Sequence, residues 1–166
     1  MAVIEKGSFE VISRSPNQTR RIGMRLGELL QPGDVISLIG NLGAGKTTFV
    51  QGVASGWGSL DPVSSPTYVL VNVYRRIDGN QLYHLDAFRL NDPREAVDLD
   101  LEVMLDEGPL VVEWADRIQG VLPEGMLIFN MNYVAEEQRD FIIKARGDRH
   151  QGLLSLLKEE IYGASA

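Results

Sequence analysis

A glycine-rich segment between residues 40 and 48 carries the residue types whose spacing most directly indicates chemistry. It matches the pattern G-x-x-x-x-G-K-[ST] of a phosphate-binding loop in full, opening at Gly40 and closing at Gly45-Lys46-Thr47. Glycines let such a loop turn tightly and aim successive N–H groups at phosphate oxygens, and the helix that follows adds its positive dipole end. The residues predicted to bind the nucleotide here are Asn41, Leu42, Gly43, Ala44, Gly45, Lys46, Thr47 and Thr48.

Lys46 and Thr47 would supply two different kinds of contact to a bound phosphate chain. Lys46 is a compact, mobile cation for the β- and γ-phosphates, whereas the hydroxyl of Thr47 suits Mg²⁺, a hard cation that prefers oxygen ligands. The guanine-reading pattern Asn-Lys-x-Asp does not occur in the sequence, which argues against GTP. The sequence therefore predicts ATP and Mg²⁺ as cofactors.

Two carboxylates follow apolar runs at positions where strands are expected to end. Asp86 ends the run 82–86, and Glu113 ends the run 110–113. Ligands collect at strand ends in open α/β sheets, and a phosphate-binding loop needs acidic side chains that hold and orient the metal ion. The spacing leaves open which carboxylate binds the metal and which orients water. For each, a surface carboxylate or a helix cap is the alternative.

A threonine and a tryptophan lie near these candidates along the chain. Thr67, in the segment 64–68, could contact the γ-phosphate or Mg²⁺ and report the nucleotide state, with an ordinary loop as the alternative. Trp114 directly follows Glu113 and is expected near the site, although packing is the commoner role. His84 and His150 lack the spacing of a metal site and are interpreted as packing or surface residues.

The hydrophobic pattern predicts an α/β fold in which strands and helices alternate around the glycine-rich segment. The predicted strands are 9–13, 35–39, 69–75, 81–85, 110–112, 127–132 and 141–145. Predicted helices start at Ser15-Pro16-Asn17-Gln18, run from the glycine-rich turn to about Val53, extend from Asp92 to about Leu105, and cover 153–161. We expect residues 1–166 to form one P-loop domain of three layers with a mixed, largely parallel sheet.

Composition limits the classes of partner and compartment. The net charge is −7, whereas proteins that bind nucleic acid directly usually carry a basic surface. The sequence has no cysteine, which excludes a disulfide partner and thiolate metal sites. It also has no apolar stretch long enough to span a membrane and no secretion-signal pattern at its start. These features favour the cytoplasm, and they favour protein partners over direct contact with nucleic acid.

Four motifs together resemble the bacterial TsaE family, also known as YjeE. They are the phosphate-binding loop at 40–48, Ser65-Pro66-Thr67-Tyr68, His84-Leu85-Asp86-Ala87-Phe88-Arg89-Leu90, and Glu113-Trp114, and the resemblance extends over about residues 15–123. The loop alone is unspecific, but the four in this order are quite specific. Asn41 and Phe88 depart from the family, which usually has Asp and Tyr there.

The resemblance implies an ATPase of the machinery that makes threonylcarbamoyladenosine in tRNA. It implies that Thr47 and Glu113 bind Mg²⁺, that Asp86 lies near the γ-phosphate, and that Thr67 is switch-like. Trp114 would lie beside the nucleotide, and Pro16, within residues 15–19, near the adenine. The implied partner is a TsaB–TsaD-type complex, in which TsaD transfers the threonylcarbamoyl group and the tRNA is handled mainly through these partners.

Two other functions are compatible with a phosphate-binding loop. A small-molecule kinase would need an acceptor pocket and usually a lid with several arginines, for which Arg89 and Arg94 are the candidates. The other is a non-hydrolysing nucleotide switch or GTPase-like binding module, and the missing guanine-reading pattern argues against GTP for it. Hydrolysis measured with and without partners would separate these alternatives.

Overall fold

The computed structural model describes residues 7–41, 43–63 and 71–163. These residues contain a seven-stranded sheet in the order β1-β7-β6-β2-β5-β4-β3. The strands are β1 (Phe9–Ser13), β2 (Val35–Ile39), β3 (Val71–Arg75), β4 (Gln81–Asp86), β5 (Leu110–Glu113), β6 (Met126–Ala135) and β7 (Gln138–Arg146).

The predicted mixed sheet is confirmed. The central strands β6, β2, β5 and β4 run parallel, while β1 and β7 on one flank and β3 on the other pair antiparallel with their neighbours. Central β2 and β5 are short apolar runs buried along nearly their whole length, as expected for parallel strands covered on both faces. The parallel centre therefore brings the carboxyl ends of four strands to one edge of the sheet.

Helices cover both faces of the sheet, which makes the arrangement three-layered. The helices are α1 (Pro16–Leu29), α2 (Lys46–Trp57), α3 (Arg94–Val97), α4 (Leu101–Glu107) and α5 (Asp148–Tyr162). The apolar faces of α1, α2 and α5 share one core cluster with Ile36 and Leu38 of β2. Residues of α3 and α4 share a second cluster with Val35 of the same strand, so alternate residues of β2 serve opposite faces.

Helix α1 begins where its sequence predicts. The side chain of Ser15 accepts a hydrogen bond from the backbone N–H of Gln18, and Pro16 occupies the first turn. The Gln18 side chain reaches back to the N–H of Arg14 at 2.7 Å, one residue before the partner of a standard capping box. The cap fixes the end of α1 that faces the phosphate-binding loop.

Three predicted helices differ from the structure, and one of them is α5, which begins at Asp148 and not at residue 153. Helix α2 continues past Val53 to Trp57, because Gly56 packs against the backbone of α1 and Gly58, at φ 99°, ends the helix instead. The region predicted as helical from Asp92 to about Leu105 is two short helices, since Asp100 between them has a φ of 53°. Within the described ranges, no helix combines the length and apolar character needed to cross a lipid bilayer.

Candidate functional site

The phosphate-binding loop connects the end of β2 to the start of α2. Gly43 and Gly45 have φ values of 81° and 93°, a region that side chains rarely adopt. A Cβ on Gly40 would lie 2.3 Å from the carbonyl oxygen of Met131 on β6, so this position has no room for a side chain. The predicted site residue Leu42 lies outside the described residues. Backbone conformation therefore requires glycine at positions 43 and 45, and lack of space requires it at position 40.

Lys46 is the first residue of α2, and its side chain folds back onto the loop. Its Nζ donates to the carbonyl oxygens of Gly40 at 2.6 Å and Asn41 at 2.8 Å, and lies 4.2 Å from the ring centroid of Trp114. Burial lowers the pKa of Lys46, and the negative charges of Glu113 and Asp86 act in the opposite direction. Lys46 is therefore a nearly buried cation with neutral hydrogen-bond partners, which a phosphate group could replace.

Asp86 and Glu113 lie side by side and line the same cavity as the loop. They are register partners at the carboxyl ends of the parallel strands β4 and β5. Glu113 is only 6% exposed. The Oδ1 atom of Asp86 accepts a hydrogen bond from the N–H of Phe88, and its Oδ2 atom lies 3.7 Å from Nε of Arg89. Asp86 therefore caps the following 3₁₀ turn, one of its predicted alternatives, and it also faces the loop.

These groups line one open cavity of about 410 Å³. Its lining residues are Gly43, Ala44, Gly45, Lys46, Thr47, Thr48, Asp86, Phe88, Glu113, Trp114 and Arg139. Nine of them are site residues predicted from sequence, brought together from the loop and from two strand ends. Asn41 contributes its carbonyl to Lys46 beside the cavity. Thr67 lies outside the described residues, so its predicted switch role stays a prediction.

Pro16 lines a smaller cavity of about 40 Å³ next to the first one. Gly45, Thr48 and Arg139 line both cavities, so the two adjoin across the start of α2. The predicted adenine region at the start of α1 is therefore next to the phosphate loop.

Trp114 contacts Lys46 on one side and forms an aromatic pair with Phe88 at the edge of the cavity. Its ring centroid lies 5.0 Å from that of Phe88, which is half exposed. Arg117 donates to the carbonyl oxygen of Phe88 at 2.8 Å and holds this turn in place. Trp114 itself has a φ of 58°, an uncommon conformation for a non-glycine residue, and it directly follows Glu113. The strand therefore ends abruptly here, which places Glu113 and Trp114 on the cavity wall.

Arg139 is a site residue that the sequence analysis missed. It lies on β7, yet its Nε donates to the carbonyl oxygen of Gly43 at 2.8 Å. Its Nη1 donates to the carbonyl oxygens of Ala135 and Gln138, and its guanidinium stacks on Tyr133 at 4.7 Å. Ninety-six positions separate Arg139 from Gly43, and no local pattern marks it. The lid candidate Arg94 instead pairs with Asp92 at the surface.

His84 is buried, as the packing interpretation expected, but it also hydrogen-bonds with two side chains. Its Nε2 lies 2.6 Å from Oε2 of Glu113, and its Nδ1 lies 2.9 Å from the hydroxyl of Tyr74. A signal for this role was present in the sequence, because residues i and i+2 of a strand share a face and His84 precedes Asp86 by two. His150, also buried, accepts a hydrogen bond from the N–H of Val35 at 3.0 Å, far along β2 from the loop.

The donor set fits Mg²⁺ bound together with phosphates. Thr47 offers a hydroxyl in the first turn of α2, and Glu113 and Asp86 offer carboxylates in the same cavity. Mg²⁺ is usually held by one or two carboxylates plus substrate phosphates, and not by a cage made only of protein groups. Among the described residues, no cluster of three or more His, Asp or Glu side chains is placed to hold a metal ion.

Comparison with known proteins gives consistent matches. The family model described as threonylcarbamoyl adenosine biosynthesis protein TsaE matches residues 13–141. The tRNA threonylcarbamoyladenosine biosynthesis protein TsaE of Bacillus subtilis is 37% identical over 140 residues, which are 84% of this chain and 87% of that protein. The protein of the same name from Streptomyces coelicolor is 38% identical over 136 residues, covering 78% of this chain and 92% of its own length.

A solved structure shows the same similarity in three dimensions. The crystal structure of YdiB from Bacillus subtilis has a TM-score of 0.77 to this chain and is 28% identical, covering 97% of this chain and 99% of YdiB. The family match includes the phosphate-binding loop, both strand-end carboxylates and Arg139. The chain therefore belongs to the TsaE family of threonylcarbamoyl adenosine biosynthesis proteins.

Proposed function

We propose that this protein binds and hydrolyses Mg²⁺–ATP as the ATPase subunit of the assembly that adds the threonylcarbamoyl group to adenosine in tRNA. The observation that carries the proposal is the shared cavity. Lys46 and the glycine-rich loop line this cavity together with Asp86 and Glu113, which lie at neighbouring strand ends. Membership of the TsaE family supports the assignment to this pathway, and the residues of the cavity support the proposed hydrolysis of ATP.

The proposed role of the loop is to bind and orient the phosphate chain. Backbone N–H groups between Gly43 and Thr48 would hold the phosphates at the N-terminus of α2. Lys46 would exchange the carbonyl oxygens of Gly40 and Asn41 for phosphate oxygens, which are stronger, charge-assisted partners. Binding of the phosphates would therefore require Lys46 to change its hydrogen-bond partners within the site.

The two carboxylates would divide the remaining tasks. Thr47 and Glu113 are the proposed ligands of Mg²⁺, and Asp86 is proposed to orient the attacking water near the γ-phosphate. Mg²⁺, when bound, neutralises charge on the β- and γ-phosphates. Phosphoryl transfer asks the protein mostly for positioning and charge stabilisation, and this cavity offers groups for both.

The proposed partner is a TsaB–TsaD-type complex. A net charge of −7 opposes direct binding of tRNA, so contact with the tRNA is assigned mainly to the partners. Arg139 lines the cavity, but three backbone carbonyls already hold its guanidinium at the loop, so it is not assigned the role of an arginine finger. We therefore expect slow hydrolysis by the isolated chain and faster hydrolysis when the partner complex is added.

A Glu113→Ala variant tests the proposal. We expect hydrolysis to fall about a hundredfold, the typical effect of removing one electrostatic group from a catalytic site, while ATP still binds through the loop and Lys46. Steady-state phosphate release, with and without the partner complex, and titration with a fluorescent ATP analogue measure the two effects. Glu159→Ala, at an exposed position on α5, is the matched control and should behave as wild type.

Two results would count against parts of this assignment. Full activity in Glu113→Ala would transfer the metal role to Asp86. Rapid hydrolysis by the isolated wild-type chain, unchanged by the partner complex, would indicate a self-contained enzyme and contradict the proposed dependence on a partner.

A further inference from the structure

Three buried side chains form a hydrogen-bonded row that ends at the cavity. Tyr74 on β3 contacts His84 on β4 at 2.9 Å, and His84 contacts Glu113 on β5 at 2.6 Å. The side chains of His84 and Glu113 are only 2% and 8% exposed. A row of polar side chains through three adjacent strands is costly to bury unless its members satisfy one another.

The row has a defined direction of donation. An ionised Glu113 can only accept hydrogen bonds, so Nε2 of His84 carries the proton and donates to Oε2 of Glu113. Nδ1 of a neutral His84 is then an acceptor, and the hydroxyl of Tyr74 donates to it. Burial raises the pKa of Tyr74 to about 12, so this hydroxyl keeps its proton at neutral pH. The tautomer and ring orientation of His84 are thus both specified.

The two carboxylate oxygens of Glu113 differ in their hydrogen bonding. Oε2 is engaged by His84, while Oε1 has no hydrogen-bond donor among the described residues, and Glu113 forms part of the cavity wall. The hydrogen bond to Oε2 limits rotation of the carboxylate and uses only one of its two oxygens. The other oxygen therefore remains available to a ligand in the cavity.

We propose that His84 is a positioning residue that anchors Oε2 of Glu113 and leaves Oε1 to serve Mg²⁺, with Tyr74 fixing the His84 ring. The inference rests on the proposed function, because it assigns Glu113 to the metal. Groups that orient a ligating side chain typically change metal affinity or activity 10–100-fold when removed. His84 would then act on the Mg²⁺-dependent part of nucleotide affinity and not on the part that the loop provides.

The experiment compares His84→Leu with His84→Gln. A fluorescent ATP analogue is titrated into each protein in EDTA and in excess Mg²⁺, and the ratio of the two affinities is the readout. We expect His84→Leu to keep the affinity measured in EDTA. The increase in affinity that Mg²⁺ produces should be about tenfold smaller than in wild type. We expect His84→Gln to retain most of that gain, because its amide N–H can donate to Glu113.

Two further variants keep the test decisive. Tyr74→Phe removes only the hydroxyl and should reduce the Mg²⁺ gain measurably, by less than about tenfold relative to wild type, which gives a second result if His84→Leu fails to fold. His150→Gln alters the other buried histidine, which contacts Val35 and lies outside the cavity lining, and it should keep the wild-type gain.

The outcomes separate this inference from the proposed function. A wild-type Mg²⁺ gain in His84→Leu would overturn the inference, as would equal losses in EDTA and Mg²⁺ for both His84 variants. If His84→Leu is unfolded, a folded Tyr74→Phe with the full wild-type Mg²⁺ gain would also overturn it. No gain from Mg²⁺ in the wild-type protein would overturn the proposed function, and this inference with it.

Discussion

Lys46 shows how a single side chain prepares the site for an anion. The residue is only 6% exposed, and two backbone carbonyls satisfy its ammonium group in place of water. Trp114 covers it at 4.2 Å. A buried cation with only neutral hydrogen-bond partners gains strongly from an incoming phosphate, because the Coulomb attraction is weakly screened there.

Lys46→Ala should therefore weaken ATP binding. Hydrogen bonds to charged groups contribute about 1.5–3 kcal/mol, which corresponds to roughly a ten- to hundredfold loss of affinity. Titration with a fluorescent ATP analogue measures the loss, and Lys158→Ala, at an exposed position on α5, is the control. Equal affinities for Lys46→Ala and wild type would exclude the assigned role of Lys46.

Arg139→Ala should weaken ATP and ADP binding alike. The arginine supports the loop through the carbonyl oxygen of Gly43 and lines both adjoining cavities, and the loop is proposed to hold the phosphates that ATP and ADP share. Loss of a hydrogen bond worth about 1 kcal/mol predicts roughly a fivefold decrease for each nucleotide. The control is Arg25→Ala, which removes a surface ion pair with Glu160. A loss confined to ATP would instead place Arg139 at the γ-phosphate.

At the scale of elements, the contact between α1 and α2 determines where the start of α1 lies relative to the loop. The two helices approach closely at glycines of both partners. A Cβ on Gly27 of α1 would lie 2.1 Å from the carbonyl oxygen of Val53, and one on Gly56 of α2 would lie 2.0 Å from that of Met24. Because these neighbours are backbone atoms, they cannot move aside without shifting a helix.

Gly27→Ala should destabilise the protein despite the better helix propensity of alanine. Overpacking of this kind typically costs about 1–3 kcal/mol in the free energy of unfolding. Gly152→Ala on α5 is the matched control, since no atom lies within 4 Å of its added Cβ, and it should stabilise by about 0.5–1 kcal/mol. Denaturant unfolding of both variants measures the difference, and a neutral Gly27→Ala would contradict the close contact.

At the scale of the whole molecule, α5 is joined to the start of β2 by polar contacts at the opposite end of the strand from the loop. Arg149 forms an ion pair with the buried Asp34 at 2.8 Å, and His150 accepts the N–H of Val35 at 3.0 Å. Burial lowers the pKa of His150, and the positive charge of Arg149 adds to this effect, while Asp34 opposes it. The hydrogen bond from Val35 requires a neutral His150.

The free energy of unfolding should therefore decrease as the pH falls below about 6.5, the ordinary pKa of histidine. A lowered pKa in the folded state means that the unfolded chain binds the proton more readily, so acid favours unfolding. Denaturant unfolding at pH 7.5 and 5.5 measures the effect. The decrease should be smaller in His150→Gln, because glutamine does not titrate. An equal decrease in both proteins would mean that other titrating groups cause it.

Much of the fold followed from local patterns. The period-2 and apolar runs predicted the strands at nearly their observed positions, including the β3–β4 hairpin around Asp78-Gly79-Asn80 and the late β6–β7 pair. The Ser15 cap likewise predicted the start of α1. The end of α2 was predicted too early, because Gly56 looks like a helix breaker in isolation and its packing against Met24 is visible only in the fold.

The sequence by itself determined the glycine-rich loop, because the phosphate contacts proposed for it depend on consecutive backbone N–H groups within a few residues. It also placed Asp86 and Glu113 at strand ends, and parallel pairing then made them neighbours. Only the tertiary structure brought Arg139 to Gly43 and aligned Tyr74, His84 and Glu113. Those contacts depend on strand order and register, which are set by burial of the whole sheet between its helices and not by any local run of residues.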